Sequence, residues 1–148
     1  MENVRPVGRG FEKYLLDNLK EVRGIWAYQF PTADRVRWLR QPGDFLILHD
    51  DYSFLWEIKT TKQDTFYKLE VRDNQVEDLL AFDRRLFRNY AFVGIYFQRV
   101  DKFILVRIYD FITAPLTITP SDAVSLGTVV ENFHEFLNDG YKRELGFK

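Results

Sequence analysis

The chain contains no cysteine, which excludes disulfide staples, thiolate catalysis and cysteine-ligated zinc, and is compatible with a reducing compartment. Histidine is almost as scarce. His49 and His134 are the only two in 148 residues, too few and too scattered for a histidine metal cluster or a Ser-His-Asp arrangement. No apolar run approaches the roughly 20 residues of a transmembrane helix, and Met1-Glu2-Asn3-Val4-Arg5-Pro6 lacks the apolar stretch of a secretion signal. An intracellular protein, in cytoplasm or nucleoid, is expected. Nor is one sign of charge in excess: 21 basic residues face 22 acidic ones, for a net charge of −1, so the chain as a whole lacks the basic footprint of a phosphate-binding protein. Internal repeats and low-complexity segments are absent. What remains is 46% hydrophobic and 17% aromatic, far from a disordered composition and sufficient for one core, so residues 1–148 are expected to form a single domain.

The most informative pattern is Gly43-Asp44 followed by Glu57-Ile58-Lys59. Phe45-Leu46-Ile47-Leu48 and Phe54-Leu55-Trp56 are short apolar runs separated by the polar stretch His49-Asp50-Asp51-Tyr52-Ser53, the mark of two adjacent antiparallel strands. Asp44 then begins one strand and Glu57 lies near the end of its neighbour. With a side-chain period of two, Glu57 and Lys59 share one face while Trp56 and Ile58 point to the other. Two carboxylates and an ammonium so placed suit phosphodiester hydrolysis: Mg²⁺ takes one or two carboxylates, keeps several waters and fills its shell from the substrate phosphate. Asp44 and Glu57 would hold the ion, and Lys59 would orient the attacking water or offset developing charge.

An Asp followed by Glu-x-Lys on a strand resembles the PD-(D/E)xK nuclease superfamily, with the family's proline one residue early as Pro42. Glu12, at the start of a segment with Phe11, Leu15, Leu19 and Val22 at helical spacing, occupies the place where that family supplies a further acid from its first helix. Thr61, Thr65 and Leu69 after Lys59, then Gln75 at a helix start, resemble the motif region of RecU-type Holliday junction resolvases, with Gln75 one residue short of the register. The chain lacks the inserted stalk of those enzymes, carrying only residues 31–42 at that point. Its compact build is closer to archaeal Holliday junction resolvases and small phage or archaeal-virus nucleases of the same superfamily. The resemblance, over roughly residues 8 to 111, implies a Mg²⁺-dependent endodeoxyribonuclease acting on DNA four-way junctions, with Mn²⁺ able to substitute. It adds Glu12 and Gln75 to the catalytic set and the Ile58 backbone carbonyl to the metal ligands. A structure-independent duplex nuclease or nickase, and a non-catalytic DNA-binding module, are the alternatives on the same scaffold.

Charge distribution softens the objection from net charge. Arg35, Arg37 and Arg40 precede Asp44, Arg9 precedes Glu12, and Lys62 and Lys68 follow the Glu-x-Lys strand, while acids collect toward the C-terminus. With Thr61 and Thr65 these are the candidate DNA contacts, although any single Lys or Arg among them is also explained as a solvated surface charge and the threonines by their β-propensity.

The remaining pattern predicts an α/β fold with a restriction-endonuclease-like core in the order α-β-β-β-α-β-β, a central mixed sheet flanked by helices. Expected elements are a helix over 8–23, strands over 25–30, 45–48 and 54–59, a helix from Gln75 to about Arg88, and strands over 90–97 and 102–109. A proline-punctuated extension from about 112 follows, with Ser121 as a candidate helix cap and a final helix over 128–137. Both faces of the 102–109 strand are apolar. Either the final helix covers the second face through Phe133 and Leu137, or a second copy does. Resolving a junction takes two symmetric nicks, so a homodimer is expected.

Overall fold

A computed structural model describes residues 5–31 and 41–146. Helix α1 (Arg9–Lys20) forms because Phe11, Leu15 and Leu19 recur at i, i+4 and i+8 and are buried together. The chain then lays down β1 (Ile25–Gln29), β2 (Phe45–His49) and β3 (Tyr52–Thr61). Strands β2 and β3 are a tight hairpin about Asp50-Asp51, with Phe45 opposite Trp56 and His49 opposite Tyr52. Helix α2 (Asp73–Arg85) crosses over to β5 (Asn89–Phe97), which lies parallel to β3, after the two-residue β4 (Phe66–Tyr67). Strand β6 (Lys102–Arg107) returns antiparallel through a turn whose Asp101 adopts φ 49°.

Beyond it come α3 (Ile108–Phe111), β7 (Thr117–Ile118) paired to β4, α4 (Pro120–Leu126) and β8 (Thr128–Val129), and then helical turns over 133–144. The sheet order is β1-β2-β3-β5-β6-β8, and β3–β5 is its parallel pair. This is the expected mixed sheet, and with β4 set apart in its own pair with β7 the order from α1 to β6 is α-β-β-β-α-β-β. Among the described residues no helix is long and apolar enough to cross a membrane.

Strand β3 is central and buried on both faces, which explains its continuous apolar run. Tyr52, Phe54, Trp56 and Ile58 join α1 and the C-terminal turns in one core, whereas Leu55 joins α2, α3 and α4 in the other. Gly94, opposite Ile58, has to be glycine: a Cβ there would stand 2.7 Å from the Phe103 ring and 3.0 Å from Ile58.

Three expectations need correction. The final helix does not start at residue 128. Thr128 and Val129 form β8 against Leu105 and Ile104, and helix begins at Phe133, where the Asn132 side chain accepts from the Glu135 amide. Thr119, not Ser121, caps α4, in a capping box with Asp122 behind Pro120. The 102–109 strand stops at Arg107, because residues 108–111 turn into α3. As for its second face, Phe103 and Leu105 lie in one core with Phe133, Phe136 and Leu137. The chain's own C-terminal turns cover it.

Candidate active site

The hairpin register places Asp44 one residue before the start of β2, beside Glu57. The Asp44 amide donates to the Trp56 carbonyl at 2.8 Å, and its carboxylate Oδ2 accepts from the Ile58 amide at 2.7 Å. Gly43 permits this approach, since a Cβ would come within 3.1 Å of the Trp56 carbonyl and 3.0 Å of the Leu55 side chain. A strand residue sends its N–H and C=O to the same edge. The Ile58 carbonyl therefore faces the Asp44 side, ahead of the first residue of β2.

Glu57 is buried, 5% exposed. Its Oε2 accepts from Gln75 Nε2 at 3.2 Å and lies 3.6 Å from Lys59 Nζ. Gln75 is fixed at the N3 position of α2, where its Oε1 accepts from the Arg72 amide at 2.9 Å. One amide thus closes the helix N-terminus with one end and orients the buried carboxylate with the other. Glu12, from α1, accepts from Gln29 Nε2 at 3.3 Å at the end of β1. It opens onto a cavity of about 370 Å³ lined by Arg9, Lys13, Gln29, Phe30 and Pro31 among others. Sequence reasoning missed Gln29, because nothing in a strand-terminal glutamine announces which helix packs beside it.

The electrostatics show how closely the acids stand. Burial, then the neighbouring Asp44 charge, pushes the Glu57 carboxyl up to about 8. Burial also raises Asp44, against the opposing Ile58 amide, and raises Glu12, with Asp44 again adding. Lys59 pulls all three the other way. Clustered acids with raised affinity for protons mark a candidate functional site.

A raised carboxyl stabilises the fold fully below its ordinary value of 4.5, and that stabilisation is lost as pH rises through about 8. The metal-free protein should therefore melt at progressively lower temperature across that window. Glu57→Gln should flatten the decline, and a slope identical to that of the wild type in thermal scans would show that Glu57 is not its source.

The other predicted contacts are distributed as follows. Arg9 begins α1 at the cavity, and Lys62 is exposed after β3. The Thr61 hydroxyl donates to the Thr65 carbonyl at 3.2 Å and accepts from the Gln63 amide, closing the turn after Lys59. Lys68 donates to the carbonyls of Ile112 and Ala114 at 2.7 and 2.8 Å, tying the segment after β4 to the end of α3. Arg35, Arg37 and Arg40 lie outside the described residues. Among the described residues no group of three or more His, Cys, Asp or Glu side chains converges to enclose a cation. The donor set is two carboxylates and a carbonyl at an open edge, which fits an ion that keeps most of its waters, as Mg²⁺ does.

The family model described as archaeal Holliday junction resolvase (Hjc) matches residues 3–134. Among solved structures, Hjc of Archaeoglobus fulgidus, a Holliday junction resolvase from an archaeal hyperthermophile, superposes with a TM-score of 0.60 at 22% identity. The match covers 82% of this chain and 95% of that one. No curated protein sequence matches.

Proposed function

The chain belongs to the archaeal Holliday junction resolvase family, and on that footing we propose that it is a divalent-metal-dependent endonuclease of PD-(D/E)xK type that nicks four-way DNA junctions as a homodimer. The observation that carries this reading is the Asp44 carboxylate held by the Ile58 amide beside buried Glu57, with Lys59 at 3.6 Å. Asp44, Glu57 and the Ile58 carbonyl would hold Mg²⁺, with Mn²⁺ able to replace it. Bound there, the ion would neutralise the scissile phosphate and make a water acidic enough to attack.

The chain's own groups do the rest. Lys59 sits on the same face as Glu57 and supplies a fixed positive charge where charge builds on the phosphate. Gln75 holds Glu57 in one rotamer, and Gln29 does the same for Glu12, which is placed to position water at the cavity mouth. Arg9, Lys62 and the three arginines before Asp44 would contact backbone phosphates, which position DNA without reading its sequence. One chain has one site, so two nicks across a junction need two copies about a two-fold axis.

A four-way junction, a linear duplex and single strands, each incubated with Mg²⁺ or Mn²⁺, test this directly. Paired nicks in the junction, with the duplex left intact, are expected. Equal cutting of duplex would reduce the reading to a general nuclease. In the same assay Lys59→Ala should lower the rate by about 10²–10³-fold, the worth of one preorganised charge, while junction affinity falls much less. An unchanged rate would return Lys59 to a purely structural pairing with Glu57.

A further inference from the structure

Strand β1 is one of the two edge strands of the sheet in the described structure, and its two faces differ. Ile25 and Ala27 pack on the α1 core. Trp26 and Tyr28 point the other way and are 55% and 42% exposed. Their rings are parallel within 5°, with centroids 5.9 Å apart, and Phe30 continues the row at 5.4 Å from Tyr28, edge to face. Buried aromatics elsewhere in the chain serve the core; this pair is displayed.

Register fixes what that face adjoins. Trp26 is opposite Leu48 and Tyr28 opposite Leu46, and Leu46 is opposite Leu55 on β3. Leu55 shares its side of the sheet with Glu57 and Lys59, two and four residues on. The aromatic row and the buried carboxylate therefore lie on the same side. The row also runs into the site, because the Phe30 amide donates to the Asp44 carbonyl at 2.9 Å and Phe30 lines the Glu12 cavity. At about 3.3 Å per residue, Tyr28 lies roughly 7 Å and Trp26 roughly 13 Å from Phe30 along the strand. Past Trp26 a hollow of about 380 Å³ is lined by Gly24, Leu48, His49 and Asp50.

We propose that the Trp26–Tyr28 face is a stacking platform for unpaired DNA bases beside the nuclease site, an inference that rests on the nuclease reading above. Successive exposed π faces on a strand leading to phosphate-handling residues are how proteins hold single-stranded DNA without reading its sequence. At a branch point the continuous helical stack is interrupted, and bases that open there are the ones such a face would take. Trp and Tyr suit this use because each offers a flat face and a polar edge that stays wet. Bases stacked on them would keep the strand in line with Asp44 and Glu57.

The test is binding in chelator, so that cleavage plays no part. Affinity for a fluorescent oligothymidylate, and for a blunt duplex, is measured on the wild type, on the double variant Trp26→Ala/Tyr28→Ala and on Trp26→Phe. Both residues are exposed, so the variants should fold, which melting curves would confirm. Each ring removed should weaken oligothymidylate binding about tenfold or more, with duplex affinity within about twofold and Trp26→Phe close to wild type. A double variant that binds oligothymidylate as the wild type does would overturn the platform. So would a double variant that sediments as a monomer while the wild type is a dimer and oligothymidylate affinity is unchanged, since a second copy would then be the occupant. Wild-type cleavage of junction and duplex with Mg²⁺, run alongside, reports on the nuclease reading separately, because the binding arms contain no metal.

Discussion

Glu57→Gln should leave the protein folded and junction cleavage reduced by about 10³-fold or more, since on the proposed reading the variant loses a metal contact that supplies several kcal/mol of charge stabilisation to the transition state. Glutamine keeps the size of the side chain and can still pair with Gln75. It cannot supply the negative charge. Asp44→Asn should act the same way, with the further loss of the carboxylate that the Ile58 amide holds at 2.7 Å. Binding to junction DNA is expected to persist in both variants, because neither adds negative charge to a surface that must meet phosphate. Cleavage rates on a synthetic junction, with binding measured separately in chelator, check both halves. Full activity of Glu57→Gln would remove the carboxylate from the chemistry altogether.

Arg107→Ala should destabilise the fold by about 3–5 kcal/mol, the cost of stranding a buried charge, seen as a melting temperature lower by about 10 °C. Asp83, near the end of α2, is buried and accepts two bonds from Arg107, at 2.8 and 3.2 Å, and a third from the Ala91 amide at 2.9 Å. The guanidinium also lies over Tyr90 at 4.6 Å. This constellation ties α2 to β5 and β6, and α2 is the helix that delivers Gln75 to Glu57. Loosening it should therefore lower cleavage as well as stability. Changing both partners to apolar residues of similar volume should recover much of the stability, since the penalty lies in the orphaned carboxylate. A single variant with an unshifted melting curve would show that water reaches Asp83 and pays for its charge.

Much of this was readable in the sequence because it depends on local periodicity. The i, i+4, i+8 spacing of Phe11, Leu15 and Leu19 gives α1, and two apolar runs about a polar turn give the β2–β3 hairpin. Alternation alone put Glu57 and Lys59 on one face, as the 3.6 Å approach of their charged ends bears out. Val129 and Val130 failed the same test. A pair of apolar residues ahead of a helical stretch fits either period, and Val129 becomes strand because Ile104 lies free at the edge of β6. That edge belongs to the tertiary structure. No window of sequence around residue 128 contains it.

The sequence by itself determined the acids, the lysine and their order along the strands, because residue type and strand alternation are local properties. Only the tertiary structure decided which groups hold those acids in place. Gln75 reaches Glu57 across the α2 crossover, Gln29 reaches Glu12 from a different strand, and the Ile58 amide meets Asp44 through the hairpin register. The raised affinity of Glu57 for its proton belongs to the same level, since it arises from burial and from the nearby Asp44. Desolvation and charge proximity depend on distances between residues remote in the chain, and those distances exist only once the sheet has closed around them.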